Sequence, residues 1–179
     1  MVRPSKPKKL TPDELWNYAL RLLAQRPYSI ADLKAKLSRR SDSPSDVAET
    51  LAKLREYGMA DDEKFSEAFA SSRLQNDGFG RSKVLRDLRA KRVPRSVAEK
   101  AVDKTFEKTD ESRLAGQFLL RKYRNKDLRE LLKDEKQFAG AYRRLRMGGF
   151  SSSVSLSLLK SYANETAEWM EPEPDEDEA

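Results

Sequence analysis

Apolar residues recur at helical spacing along most of the chain. Thr11-Pro-Asp-Glu14 marks a helix start: Thr11 can cap, Pro12 fits the first turn, and Glu14 completes a capping box. Trp16, Ala19, Leu20 and Leu23 follow at the spacing of one helical face. Arg26-Pro27 ends that helix. Ser29 is placed to cap a second, carrying Leu33 and Leu37. Ser43-Pro44 opens a third, with Val47, Leu51 and Leu54 inward and Gly58 as its stop. A second group begins at Met59-Ala-Asp-Asp-Glu63, whose acids suit the positive end of a helix dipole. Phe65, Ala68 and Phe69 form its first stripe, and Asn76–Gly80 reads as a turn. Val84, Leu85 and Leu88 mark the next helix. Val93-Pro94 breaks it, and Val97, Ala101, Val102 and Phe106 mark the one after. A third group starts near Thr109–Ser112, with Leu114, Ala115, Phe118 and Leu119 inward. Phe138, Ala141, Tyr142 and Leu145 follow, then a break at Gly148-Gly149 and a last helix over Ser151–Tyr162.

These groups are copies of one another. Val84–Leu88–Val93–Val97–Ala101 reappears as Ala141–Leu145–Phe150–Val154–Leu158 at a constant offset of 57. A looser copy, Leu33–Leu37 then Val47–Leu51, precedes the middle one by 51 and then 50 residues. Such periods mean stacked helical units. The longer offset predicts an insertion of about seven residues in the third copy. Lys126–Lys133 is its natural place, as a short helical turn. Val154–Leu158 alternates like a strand, but its register with the earlier copies predicts helix. The expectation is an all-α fold of three tandem three-helix repeats, at residues 11–58, 59–108 and 109–164. Disordered tails flank them, basic over 1–10 and acidic over 165–179.

Composition fits thin helical layers. Apolar and charged residues each make up 37% of the chain, where soluble domains run at about 45–50% and about 25%. The absence of Cys and His removes disulfides, thiol nucleophiles, Cys/His zinc sites and the commonest general base. No apolar run approaches the ~20 residues that span a bilayer, and no signal peptide is apparent. A cytoplasmic monomer without membrane contact is expected. Gly78-Phe-Gly80-Arg-Ser-Lys83 lacks phosphate-loop spacing. Ser151–Ser153 is explained by helix capping and Asp61-Asp62 by a helix N-terminus. No enzyme site, metal or cofactor is expected.

Charge supplies the functional signal. Residues 165–179 hold eight of the chain's 30 acids and none of its 36 bases, so the body without them carries +14. Such a body attracts polyanions. Arg81, Lys83, Arg86, Arg89, Lys91, Arg92 and Arg95 crowd the middle repeat. Lys34, Lys36, Arg39 and Arg40 hold similar places in the first repeat. Arg143, Arg144 and Arg146 do so in the third, joined by Arg121, Lys122 and Arg124. Repetition of the units would align these cations to grip a phosphate backbone or an acidic protein groove. Aromatic interleaving is weak, because Phe65, Phe69, Phe106, Phe118 and Phe138 fall on core faces. Phe79, Phe150 and Tyr28 sit at turns, where packing between units is the simpler reading. Trp169 stands alone in the acidic tail.

The residues also resemble a family. Ala19-Leu-Arg-Leu-Leu-Ala24, Arg26-Pro-Tyr-Ser29 and Leu33–Leu37 are similar to the opening of RecX proteins, bacterial regulators of the RecA recombinase. So are Tyr57-Gly-Met-Ala-Asp-Asp-Glu-Lys-Phe65, Gly80, Leu88, Lys91-Arg-Val93, Gly149-Phe-Ser151 and Val154. The likeness spans roughly residues 11–162. It departs at Arg92, where the family shows glycine, so the turn there must avoid a positive φ or accept strain. The resemblance implies a curved, elongated molecule lodged in the groove of the RecA–DNA filament. It further implies interference with strand exchange, ATP turnover and coprotease activity, hence a role in recombination, DNA repair and the SOS response. DNA would be contacted directly or through the filament. The competing expectation is a helix-turn-helix-like protein that binds DNA alone.

Overall fold

Capping chemistry fixes where the helices begin. Thr11 Oγ1 accepts from the Glu14 amide while the Glu14 carboxylate accepts from the Thr11 amide, a complete capping box. Ser29, Ser43, Asp110, Asp127 and Asp134 each cap a following helix by the same side-chain-to-amide bond. The computed structural model describes residues 8–163. Of the tails expected at 1–10 and 165–179, residues 1–7 and 165–179 lie outside these. Residues 8–10 are tied to the body: the Leu10 amide donates to Arg40 O at 2.8 Å and Lys9 Nζ to Ser41 O at 3.2 Å.

The elements run α1 (Pro12–Gln25), α2 (Ile30–Ser38), α3 (Pro44–Glu56), α4 (Asp62–Ser72), a π-helical turn (Arg73–Asp77), α5 (Arg81–Ala90), α6 (Arg95–Phe106), α7 (Glu111–Lys122), α8 (Leu128–Leu131), α9 (Glu135–Gly148) and α10 (Ser152–Ala163). No strand occurs among the described residues. The protein is all-α, built of three tandem three-helix repeats, with α8 as an extra turn in the third. The turn expected over Asn76–Gly80 begins two residues later, at Gly78: Asn76 and Asp77 are still helical. The helix of α4 widens into the π-turn, and Gly78 at φ 59° then ends it.

The described residues divide into two compact units, 8–68 with 88–101 and 69–87 with 102–163. In the first, Leu15, Ala19, Leu33, Leu37, Val47 and Leu54 form the centre of the core. The buried line on α1 is Leu15–Ala19–Leu22. Of the expected face Trp16, Ala19, Leu20 and Leu23, Ala19 lies on that line and the other three only flank it. Ala68, expected inward, is exposed, and Ser66 is buried in its place. The start of α2 is held from three sides. Ser29 Oγ donates to Lys91 O at 2.8 Å, Asp62 Oδ1 accepts from the Ile30 amide at 2.9 Å, and Lys91 Nζ lies 3.3 Å from Asp32.

Helix α5 ends in a Schellman turn. The Val93 amide donates to Leu88 O and the Arg92 amide to Arg89 O. Arg92 occupies the left-handed position at φ 57°, so the chain accepts strain where glycine would relieve it. Gly149, at the equivalent repeat position, makes the same turn after α9 with φ 91°.

The second unit packs Phe118, Leu119, Phe138, Leu145, Phe150 and Leu159 between α7, α9 and α10, with Leu128 and Leu132 from the α8 region closing one side. Glu111 anchors the start of α10, accepting from the Ser151 amide at 2.6 Å and Ser151 Oγ at 3.1 Å. Buried Tyr142 Oη and Ser152 Oγ share a hydrogen bond of 2.8 Å. The start of α5 crosses the α9–α10 turn backbone to backbone. The Gly80 amide donates to Gly148 O at 2.8 Å and the Ser82 amide to Gly149 O at 3.3 Å. No side chain fits there, since a Cβ on Gly80 would lie 2.3 Å from Gly149 O.

Candidate polyanion-binding cleft

The Gly80–Gly149 crossing brings the start of α5 against α9. Phe138, Ala141, Tyr142 and Leu145 face the core, which turns Arg143, Arg144 and Met147 outward on the opposite side of α9. Lys122 completes the last turn of α7, where the helix dipole favours a cation. Phe79 and Lys83 arrive from the crossing. Together these side chains, with Phe118, Gly140 and Gly148, line a cleft of about 710 Å³. Its lining holds four cations and no acid.

The cations differ in freedom. Lys83 Nζ bonds Asp87 at 2.5 Å, and Asp87 also faces Arg73 Nε at 3.7 Å. Lys83 lies 5.7 Å from the Phe79 ring centre, Lys122 5.4 Å from Phe118, and Arg144 4.9 Å from Tyr123. Rings under cations hold them in place without neutralising them. Lys122, Arg143 and Arg144 have no carboxylate partner among the described residues. Phe79, Phe118 and Phe150 form a tilted chain, with centroids 6.1 and 5.3 Å apart. Met147, 73% exposed, adds an apolar wall that solvent reaches. The cleft therefore offers a cationic rim over an aromatic floor, a chemistry suited to an anionic chain with apolar parts.

The remaining sequence-derived cations divide into engaged and open. In the second unit Arg81 pairs with Asp103, Arg86 donates to Met147 O, Arg121 to Asn76 O, and Arg146 to Phe150 O at 2.8 Å. The Arg121 guanidinium covers Gly78, whose φ of 59° favours glycine. Arg124 is exposed beyond α7. In the first unit Arg89 and Arg95 both meet Glu99, at 3.8 and 2.6 Å, and Lys91 meets Asp32. Lys36 lies over Tyr28 and Arg40 over Tyr18. Lys34, Arg39 and Arg92 are exposed. Arg92 lies past the end of α5, off the helical face that Arg86 and Arg89 share.

Sequence reasoning missed the apolar half of the cleft. Phe118 is buried yet forms its floor, and Phe79 joins it across 39 positions of chain. Met147 carried a legible signal, an apolar side chain on the charged face of α9. Among the described residues no group of three or more His, Cys, Asp or Glu side chains could hold a metal ion. No helix there is long and apolar enough to cross a membrane.

Comparison with known proteins fits this architecture. The family model "RecX, second three-helix domain" matches residues 61–102. The regulatory protein RecX of Chromohalobacter salexigens is 37% identical over 123 residues, which cover 68% of this chain and 79% of that protein. The chain belongs to the RecX family. The regulatory protein RecX of Syntrophotalea carbinolica is 28% identical over 141 residues, covering 79% of this chain and 91% of that one. The crystal structure of RecX from Lactobacillus salivarius shares the fold, with a TM-score of 0.62 at 19% identity, over 84% of this chain and 96% of the other. Gly80 and Gly149, which belong to the resemblance to RecX, build the crossing beside the cleft, and Phe150 packs in the core next to it.

Proposed function

We propose that this RecX protein binds the RecA–DNA filament and restrains recombinase, ATPase and coprotease activity by occupancy, without chemistry of its own. Its setting is the cytoplasm, in recombination, DNA repair and the SOS response. Family membership supports the regulatory role. The observation that carries the contact is the cleft on the second unit, where Lys122, Arg143 and Arg144 stand without carboxylate partners above Phe79, Phe118 and Met147. An elongated target bearing phosphates and acidic side chains meets that rim favourably, and the first unit's open Lys34, Arg39 and Arg92 supply further contacts. Arg81, Arg89, Lys91 and Arg95 already have acidic partners, and their pairs must open before they bind anything else.

The test is co-sedimentation of the full chain with DNA alone, recombinase alone and preassembled filament, with filament ATPase measured in parallel. Preference for the filament and inhibition weakened by Lys122→Glu/Arg143→Glu/Arg144→Glu are expected. Binding equally strong to bare DNA, with no effect on the ATPase, would establish the stand-alone DNA-binding reading instead.

A further inference from the structure

The cleft and the end of the chain have complementary chemistry. The described structure stops at Ala163, and sixteen residues follow. They contain eight acids, no base, and one apolar pair, Trp169-Met170. The cleft presents Lys83, Lys122, Arg143 and Arg144 around Phe79, Phe118 and Met147, without an acid in its lining. Charge and apolar character are thus matched in the same order of layers: acids to the rim, Trp169 to the floor. A cleft of about 710 Å³ is in the range of clefts that enclose a drug-sized ligand (roughly 300–1,000 Å³), larger than one indole side chain.

Reach also allows it. Helix α10 starts just past Gly148, which lines the cleft, and packs along α7 and α9. Its twelve residues rise about 18 Å. The six residues from Asn164 to Trp169 span up to about 20 Å when extended. Trp169 can therefore return along α10 to the cleft while the acids that follow it stay beside Arg143 and Arg144.

We infer that residues 164–179 dock in this cleft, Trp169 inserting between Phe79, Phe118 and Met147, and so compete with external polyanions for the cations. The tail is an internal decoy. Its effective concentration, in the millimolar range for a short tether, lets weak contacts compete with a partner. The regulatory consequence rests on the filament reading above, whereas docking itself does not.

The experiment uses the full chain carrying Trp16→Phe, so that Trp169 alone fluoresces. At 50 mM salt Trp169 should be shielded from acrylamide at least about threefold relative to the chain in urea. Raising salt to about 0.5 M, which shortens the Debye length, should expose it. So should Lys122→Gln/Arg143→Gln/Arg144→Gln, or separately Met147→Asp, which leaves every cation in place. Converting the eight tail acids to their amides should tighten binding of a poly(dT) oligonucleotide at low salt at least about tenfold. Trp169 as open at 50 mM salt as in urea overturns the inference, as does shielding that neither cleft variant changes. Filament inhibition, measured on the same chains, judges the proposed function separately: a shielded Trp169 with no inhibition in the amide variant upholds docking and refutes that reading.

Discussion

Replacing Gly80 with Ala should cost far more than a buried glycine normally would. The added Cβ would lie 2.3 Å from Gly149 O and 2.6 Å from its carbonyl carbon, both backbone atoms that cannot rotate away. Ordinary contact begins at 3.4 Å, so the two strands of backbone must part by about 1 Å. That separation stretches the bonds from the Gly80 amide to Gly148 O and from the Ser82 amide to Gly149 O. Gly80 is buried, and a buried donor left without its acceptor costs about 1–3 kcal/mol, with a further ~1 kcal/mol for the weaker bond. A total near 2–4 kcal/mol is expected. Gly140→Ala is the control. Nothing lies within 4 Å of its added carbon, and alanine inside α9 should stabilise by about 0.5–1 kcal/mol. Urea unfolding of both variants, with hydrogen exchange at the Gly80-to-Val84 and Gly149-Phe150 amides, measures the difference. A Gly80→Ala chain within about 0.5 kcal/mol of the parent, with those amides still protected, would refute the crossing as a structural joint.

Other consequences are smaller. Arg92→Gly should raise stability by roughly 0.5–1 kcal/mol in urea unfolding, because relief of a left-handed residue (about 1–2 kcal/mol) exceeds the added freedom of the unfolded chain; Arg92→Val should lower it. The Thr11 amide and then Lys8 hold the Glu14 carboxyl below its ordinary 4.5. Its contribution to the start of α1 is therefore complete above that value and is lost as pH falls through the lowered one. Hydrogen exchange in the first turn of α1 should rise over that acid window, and Glu14→Gln should abolish the dependence. Tyr142→Phe removes the buried bond to Ser152 and should destabilise by about 1 kcal/mol in thermal unfolding.

Local signals were legible in this chain and distant ones were not. Thr11, Ser29 and Ser43 announce their helices because a cap acts within three residues. The repeat outweighed the alternation of Val154–Leu158, and α10 is helical there. Helix α1 shows the limit: Leu15, Trp16, Ala19, Leu20, Leu22 and Leu23 form a wide apolar arc, and periodicity gives the arc without its centre. The π-turn escaped because Asn76-Asp-Gly78 carries the composition of a loop, while one extra residue in the helical ladder leaves no compositional trace. For the site, the clustering of bases was visible. Which of them are already paired was not, since Arg81 finds Asp103 and Lys91 finds Asp32 across long stretches of chain. The cleft needs Phe118 and Met147 brought together by the packing of α7 on α9, and Phe79 carried in by the crossing at Gly80.

Filament affinity as a function of salt, compared between the full chain and Lys122→Gln/Arg143→Gln/Arg144→Gln, bears most directly on the role of the cleft. The variant should bind preassembled RecA–DNA filaments at least about tenfold more weakly, a loss near 1.4 kcal/mol, with a shallower dependence of affinity on salt. Affinity and salt slope both equal to those of the parent, in a variant of unchanged helicity, would contradict it.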